Sequence, residues 1–256
     1  MKKIYLLVVW FVAISCVEKE SKEPLAKETR PMKPEQTEIW EPRVPVVSPG
    51  SENAPPSDAI VLFDGTSLDN WITEKDSTAA IWILNGDGSM TVKDKSGNIQ
   101  TKNNFGSVQL HIEWRSPSEI MGENQSRANS GIFLQAKYEV QVLDNNDNDT
   151  YVNGQVGSIY KQSIPLAMAS VPSGEWNVYD IIFRAPEFDG TGQVTKKAVI
   201  TVLHNGVLIQ DHFEILGESV YTGLPSYQVH DKAPLVLQDH GDNSRVSYRN
   251  IWLREL

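Results

Sequence analysis

Apolar and polar residues alternate with a period of two along several short stretches of this 256-residue chain. In Gln109-Leu110-His111-Ile112-Glu113-Trp114-Arg115 the pattern sets Leu110, Ile112 and Trp114 on one face. Gln109, His111, Glu113 and Arg115 then share the other, as the pleat of a strand requires. In Tyr138-Glu139-Val140-Gln141-Val142 the acid and the amide share a face opposite three apolar residues. Near the end Ile251 and Leu253 face one way while Asn250, Trp252 and Arg254 face the other. Strands are expected at 60–63, 82–84, 89–92, 108–115, 131–135, 138–143, 175–184, 197–203, 207–212, 235–239 and 246–253. Asn85-Gly86 and His204-Asn205-Gly206 supply hairpin turns. No stretch of ten or more residues reads as an amphipathic helix. Many short strands without helices predict an all-β fold, a two-sheet antiparallel jelly-roll sandwich.

The pattern is different before residue 58. Lys2 and Lys3 precede an apolar run from Ile4 to Ile14, too short to span a bilayer comfortably, and it ends Ala13-Ile14-Ser15-Cys16. This resembles the lipobox of bacterial lipoproteins, and Cys16 is the only cysteine in the chain. The expected organisation is a signal peptide at 1–15, a lipidated Cys16 opening a disordered tether at 16–57, and one folded domain at 58–256. The tether is rich in Pro, Glu, Lys and Ser and cannot bury enough apolar surface to offset its ordering entropy. Extended, it would hold the domain off a membrane at roughly 3 Å per residue. Its Glu-rich start reads equally as a surface-export signal or a solvated spacer. The expected location is the bacterial cell envelope, with the membrane engaged through the lipid.

Composition narrows the ligand. A formal net charge of −10 and no long basic run argue against nucleic acid. Seven Trp and eight Tyr supply core filling and also flat surfaces on which sugar rings can stack.

Four places could carry chemistry. The polar face of 108–115 offers Glu113 and Arg115, either as a wet sheet face or as the lining of a groove. Glu139 and Gln141 can together take bidentate hydrogen bonds to vicinal hydroxyls. The loop Asp144-Asn145-Asn146-Asp147-Asn148-Asp149 is oxygen-rich, but Asp149 and Gln155 stand where an EF-hand needs Gly and Glu. It reads as an Asn/Asp turn, with an irregular calcium site as the alternative. Finally, Gln238-Asp239-His240-Gly241 gathers three polar side chains before a glycine. Alternation points Asp239 and His240 to opposite sides and pairs Gln238 with His240. No zinc, serine-hydrolase or phosphate-loop motif is present.

In order along the chain stand Leu62-Phe63-Asp64-Gly65-Thr66-Ser67-Leu68-Asp69-Asn70-Trp71, Glu113-Trp114-Arg115, Asn129-Ser130-Gly131-Ile132 and Tyr138-Glu139-Val140-Gln141-Val142-Leu143-Asp144. Gly174-Glu175-Trp176-Asn177, Leu237-Gln238-Asp239-His240-Gly241 and Arg249-Asn250-Ile251 follow. The set resembles the 3-keto-disaccharide hydrolase family, also described as 3-keto-glucoside 1,2-lyases and 3-keto-glucal hydratases, from about Ile60 to the end. The resemblance implies a concanavalin-like (laminin G-like) sandwich and a role in carbohydrate breakdown. Two departures, a long hairpin at 186–192 and a long stretch at 214–234, bear on ligand choice.

A ketone at C3 acidifies the C2 proton, so cleavage of such a sugar needs a base, an oxyanion clamp and an acid. The residues expected to supply them are His240 or Glu139 for proton transfer, with Glu113 as a further acid/base candidate. Arg115 is expected to hold the oxyanion, and Gln141, Gln238 and Asp239 to bind hydroxyls. A divalent cation could replace Arg115 as clamp. The alternative is a non-catalytic glycan-binding lipoprotein, and a third reading is a structural envelope protein whose groove is filled by the 214–234 stretch. The enzyme reading expects Glu113, Glu139 and His240 to converge in one groove.

Overall fold

A computed structural model describes residues 31–51 and 54–256. The expected signal peptide and Cys16 lie outside the described residues. The chain divides into Met1–Pro45 and Val46–Leu256. In the first unit the described part holds one 3-10 turn, Pro34–Gln36, begun by a proline whose missing N–H would have no partner there anyway.

The second unit begins at Val46, so the described residues 46–51 and 54–57 fall within it. They close into a loop in which the Ser48 N–H donates to Ser57 Oγ (3.0 Å) and the Ser57 N–H donates to the Ser48 carbonyl (3.1 Å). The strands that follow are β1 (Ile60–Phe63), β2 (Trp71–Thr73), β3 (Ile83–Leu84), β4 (Met90–Thr91), β5 (Ile99–Thr101), β6 (Val108–Arg115), β7 (Ser130–Leu134) and β8 (Tyr138–Val142). Then come β9 (Asn177–Arg184), β10 (Glu187–Phe188), β11 (Val194–Lys196), β12 (Val199–His204), β13 (Val207–Glu214), β14 (Val236–Leu237) and β15 (Ser247–Glu255).

An eight-stranded antiparallel sheet runs β13-β12-β9-β6-β15-β4-β3, with β1 also paired to β15. A five-stranded sheet runs β2-β5-β14-β7-β8, and β10-β11 is a separate hairpin. The two large sheets pack face to face, because each presents one apolar face. Leu110, Ile112 and Trp114 of β6, Tyr179, Ile181 and Phe183 of β9, and Ile251 and Leu253 of β15 are all buried. They meet Tyr138, Val140 and Val142 of β8 and Ile132 and Leu134 of β7. Tyr138 and Phe183 touch across the layers with ring centroids 5.6 Å apart. Two buried hydroxyls cross as well: Tyr179 donates to the Gln141 carbonyl (2.9 Å) and Tyr248 to Ser130 Oγ (2.7 Å). These bonds fix the register of one sheet on the other, since slippage would leave each hydroxyl unpaired at about 1–3 kcal/mol.

This is the jelly-roll sandwich expected from the alternation. Strands β2 and β5, only three residues each, were too short to show a period. His204 ends β12 rather than sitting in the turn, which is Asn205-Gly206 with both φ positive (51° and 79°). Its ring is buried against Tyr179 (4.8 Å), and burial holds its pKa down at about 4.

Candidate active site

Because β7 and β8 turn Ile132, Leu134, Tyr138, Val140 and Val142 inward, the residues between them face out from the five-stranded sheet. Gly131 stands opposite Gln141 and Phe133 opposite Glu139. Beyond β14 the Gln238 N–H donates to the Gly131 carbonyl (3.0 Å), so Gln238 continues the ladder next to Gly131. The outcome is a cavity of about 290 Å³ whose floor includes Glu139, Gln141, Gln238 and His240. Its walls are Asn129, Phe133, Tyr160 and the 219–221 segment. Thus the 214–234 stretch walls the cavity through Ser219 and Tyr221 and leaves it open. The hairpin at 186–192 takes no part in the lining.

Glu139 is 6% exposed and its carboxyl makes no hydrogen bond among the described residues. Burial alone, unopposed by a cation, raises its pKa to about 8. At neutral pH it is a carboxylic acid able to donate. The backbone N–H of Glu139 is held by Ser219 Oγ at 3.0 Å, which ties the 214–234 stretch to the site.

His240 is positioned from behind. Its Nδ1 lies 2.9 Å from Asp242 Oδ2. A carboxylate accepts only, so Nδ1 carries the proton in the neutral ring and Nε2 is left with a free lone pair. Gln141 Nε2 donates to Gln125 Oε1 (3.2 Å) and Asn129 Oδ1 (3.3 Å). Gln141 Oε1 and Gln238 Oε1 are buried without a partner. Both acceptors have capacity for a further donor, and sugar hydroxyls are such donors. The wall is stiffened by Tyr151 and Tyr160, whose hydroxyls are 2.6 Å apart, and by Lys161 Nζ, 4.2 Å above the Tyr221 ring.

Four of the expected site residues, Glu139, Gln141, Gln238 and His240, therefore share one cavity. The other three do not. Glu113 and Arg115 face out from β6 on the eight-stranded sheet, on the opposite side of the sandwich, because Leu110, Ile112 and Trp114 turn inward. The convergence expected of Glu113 with Glu139 and His240 does not occur. Arg115 is bonded to Asp87 at 2.8 Å and stacks on Trp176 at 4.4 Å, out of reach of the cavity. Asp239 points away from His240, as alternation requires. Its two oxygens accept the N–H groups of Gly97 (2.9 Å) and Gly241 (3.0 Å), so it braces a turn and does not line the cavity.

In the 144–149 loop Asp144 accepts from the Asn146 N–H (3.1 Å) and from Ser173 Oγ (2.7 Å), with Arg127 Nε at 3.6 Å. Asn148 Nδ2 donates to the Asp144 carbonyl at 2.7 Å. The loop thus closes on its own hydrogen bonds. Among the described residues no group of three or more His, Cys, Asp and Glu is arranged to hold a metal ion. The sequence pattern does not single out Asp242, Tyr160 or Ser219 as site residues. Only Asp242 had a signal, two residues past His240 across a glycine.

A family model described as a 3-keto-α-glucoside-1,2-lyase-like domain matches residues 58–254. Among solved structures, a protein of Parabacteroides distasonis ATCC 8503 provisionally described as a glycosyl hydrolase is 52% identical. That match covers 88% of this chain and 97% of the other, with a TM-score of 0.84. A second protein of the same organism and description is 19% identical over 78% of this chain and 94% of its own, at a TM-score of 0.58. A third is 21% identical over 77% and 99%, at a TM-score of 0.51. These last two share the fold. No curated protein matches the chain.

Proposed function

Since this chain belongs to the 3-keto-α-glucoside-1,2-lyase-like family, we propose that it cleaves 3-keto-glucosides in the cavity formed by Glu139, Gln141, Gln238 and His240. The observation that carries the reading is the pairing, in one cavity, of an unpartnered buried carboxyl with a histidine whose tautomer is set by Asp242. One group is ready to give a proton and the other to take one.

His240 Nε2 removes the C2 proton of the keto sugar, and the electron pair is delocalised onto the C3 oxygen. The Gln238 amide is the donor we assign to that oxygen, in place of Arg115. Collapse of the enolate forms the C1–C2 double bond and breaks the bond from C1 to its oxygen. Glu139 protonates the departing oxygen. The products are the free aglycone alcohol and a 3-keto-2-hydroxy-glucal. For net hydrolysis water adds to C1 while the Glu139 carboxylate takes its proton and the His240 imidazolium returns one to C2, so both residues end as they began. Each proton transfer is worth roughly 10²–10⁴-fold in rate. Gln141 Oε1 orients a ring hydroxyl.

We place this activity at the cell envelope, because Lys2, Lys3, the apolar run and Cys16 form a lipoprotein-like start. Replacement of Cys16 by Ser would then release the protein from the membrane fraction.

The test is turnover of 3-keto-trehalose, 3-keto-lactose and their unoxidised parents by wild type, Glu139→Gln and His240→Ala, with and without a chelator. Cleavage of only the keto forms, with solvent deuterium at C2 of any hydrated product and about 100-fold loss in each variant, is expected. Cleavage of the unoxidised sugars, or wild-type rates in both variants, would overturn the reading. Loss of activity to the chelator would put a divalent ion in the role given to Gln238. Saturable binding without turnover would make the protein a glycan-binding module.

A further inference from the structure

The opposite side of the sandwich carries a second constructed site. On β15 three residue steps, Arg249 to Trp252, pair with two on β6, Glu113 to His111. The extra residue is a β-bulge, and Asn250 in it has φ 47°. Strict alternation would send either Arg249 or Asn250 into the core between Tyr248 and Ile251. The bulge instead sends both outward beside Trp252, a re-aiming that bulges commonly provide. There both bind one carboxylate: Arg249 Nε lies 2.6 Å from Glu113 Oε2 and Asn250 Nδ2 lies 2.8 Å from Oε1.

Two indoles frame this carboxylate. Trp252 stacks on the His111 ring, with centroids 5.0 Å apart and planes 9° from parallel. The Trp176 ring lies 4.2 Å from the Arg249 guanidinium and 4.4 Å from that of Arg115. Both indoles are only partly buried. Two cavities of about 450 and 620 Å³ adjoin here, sharing Glu113, Arg249, Asn250 and Trp252. Gly50, Ala54, Pro55 and Pro56 form their outer wall.

Charge decides the class of ligand. Arg115 is matched by Asp87 (2.8 Å), Arg249 by Glu113 (2.6 Å) and His111 by Asp180 (2.7 Å). Among the described residues no lining cation is left over for a phosphate, sulfate or uronate; Asp64, at the edge of the first cavity, has no cation partner and accepts instead from the Thr66 N–H (2.9 Å) and Oγ1 (2.6 Å). What remains is the part of the two indoles that His111 and the guanidiniums leave open to the cavity, beside fixed hydrogen-bonding groups, which suits a ring with an apolar face and an edge of hydroxyls. Glu113 is locked by two strong bonds, and Arg249 and Asn250 are occupied in locking it. The central carboxylate of the groove is therefore not free to act as an acid or base.

We propose that the groove of Trp176, Trp252, Glu113, Arg249 and Asn250 is a second, non-catalytic binding site for a neutral saccharide. It lies on the outer face of the eight-stranded sheet, opposite the Glu139 cavity. This goes beyond the reading of that cavity and does not depend on it.

The experiment is a titration of the full chain with maltotriose, cellotriose and trigalacturonate, followed by tryptophan fluorescence and calorimetry. A saturable response to a neutral trisaccharide is expected at millimolar or lower concentration. Trp252→Ala and Trp176→Ala each weaken it about tenfold, whereas Glu139→Gln leaves it unchanged. Circular dichroism checks each variant, and Trp252→Phe, which keeps a stacking surface, restores most of the affinity if Trp252→Ala does not fold. Absence of saturable binding, preference for trigalacturonate, or loss of binding in Glu139→Gln with retention in Trp252→Ala would each overturn the proposal.

Discussion

A Cβ placed on Gly131 would stand 2.6 Å from Glu139 Oε1, closer than real Cβ contacts come. The missing side chain on β7 is the space that the carboxyl of β8 occupies. Gly131→Ala is therefore expected to push Glu139 off its position in the cavity, although Gly131 has no positive φ to protect. Overpacking of this kind costs about 1–3 kcal/mol. Phe133 shares the clash, since its Cε2 would also lie 2.6 Å from the new atom. On 3-keto substrates kcat should fall at least tenfold with a lowered Tm. In Gly131→Ala/Glu139→Ala part of the stability loss should disappear, and simple additivity of the two variants would refute the packing argument.

Glu139 should also weaken the fold where it ionises. Its carboxyl has an ordinary value of 4.5 and a folded value of about 8. Between these the unfolded chain has released a proton that the folded chain retains. Stability thus declines as pH rises from about 4.5 to about 8 and is level beyond. Glu139→Gln has no proton to release and escapes this decline. The variant should gain on wild type across that window, by on the order of 3–5 kcal/mol at its upper end. Thermal or urea unfolding at pH 5 and pH 9 measures the gain. An equal difference at both values would mean that the carboxyl is solvated in the folded protein.

The sandwich was legible in the sequence because alternation is imposed by the core: Leu110, Ile112 and Trp114 must all turn inward if any does. The same alternation located Glu139 with Gln141 and Gln238 with His240. It could not tell which of two outer faces a polar row would join, and so Glu113 and Arg115 were grouped with residues on the far side. The place of Asp239 is hidden from the sequence for a different reason. Its two backbone partners, Gly97 and Gly241, include one 142 residues away, and nothing local announces that bond. The bulge at Arg249-Asn250 breaks the period that reveals strands, which is why Arg249 was not assigned a face.

Glu113 is expected to matter for stability and not for turnover. Burial by itself would raise its pKa, but the His111 ring 3.7 Å away and the hydrogen bonds from Asn250 and Arg249 hold it at about 2. The stabilisation is present above the ordinary value of 4.5 and is lost as pH falls through about 2. Glu113→Ala leaves Arg249 and Asn250 without their partner, at a cost of about 2–4 kcal/mol at neutral pH. kcat on a 3-keto-glucoside measured below the variant's Tm should stay within about twofold of wild type, as the residue lies on the other sheet. A large loss of kcat at unchanged stability would return Glu113 to the chemistry.

Asp242 and Asp239, three residues apart on either side of His240, should separate function from structure. Asp242→Asn replaces an acceptor with an amide that can donate to Nδ1, which favours the tautomer with the proton on Nε2. The ring would then present an N–H to the C2 proton it must remove. kcat is expected to fall about 10–100-fold, by analogy with other bases that depend on a carboxylate behind them. KM and Tm should change little, and the pH profile of kcat should shift, which a merely structural role would not produce. Asp239→Ala should do the reverse. It frees the N–H groups of Gly97 and Gly241 and lowers stability by about 1–2 kcal/mol, with kcat retained. Steady-state kinetics and melting curves on the two variants decide the matter. If Asp239→Ala abolishes turnover while Asp242→Asn spares it, the catalytic histidine is oriented from the other side and the assigned tautomer is wrong.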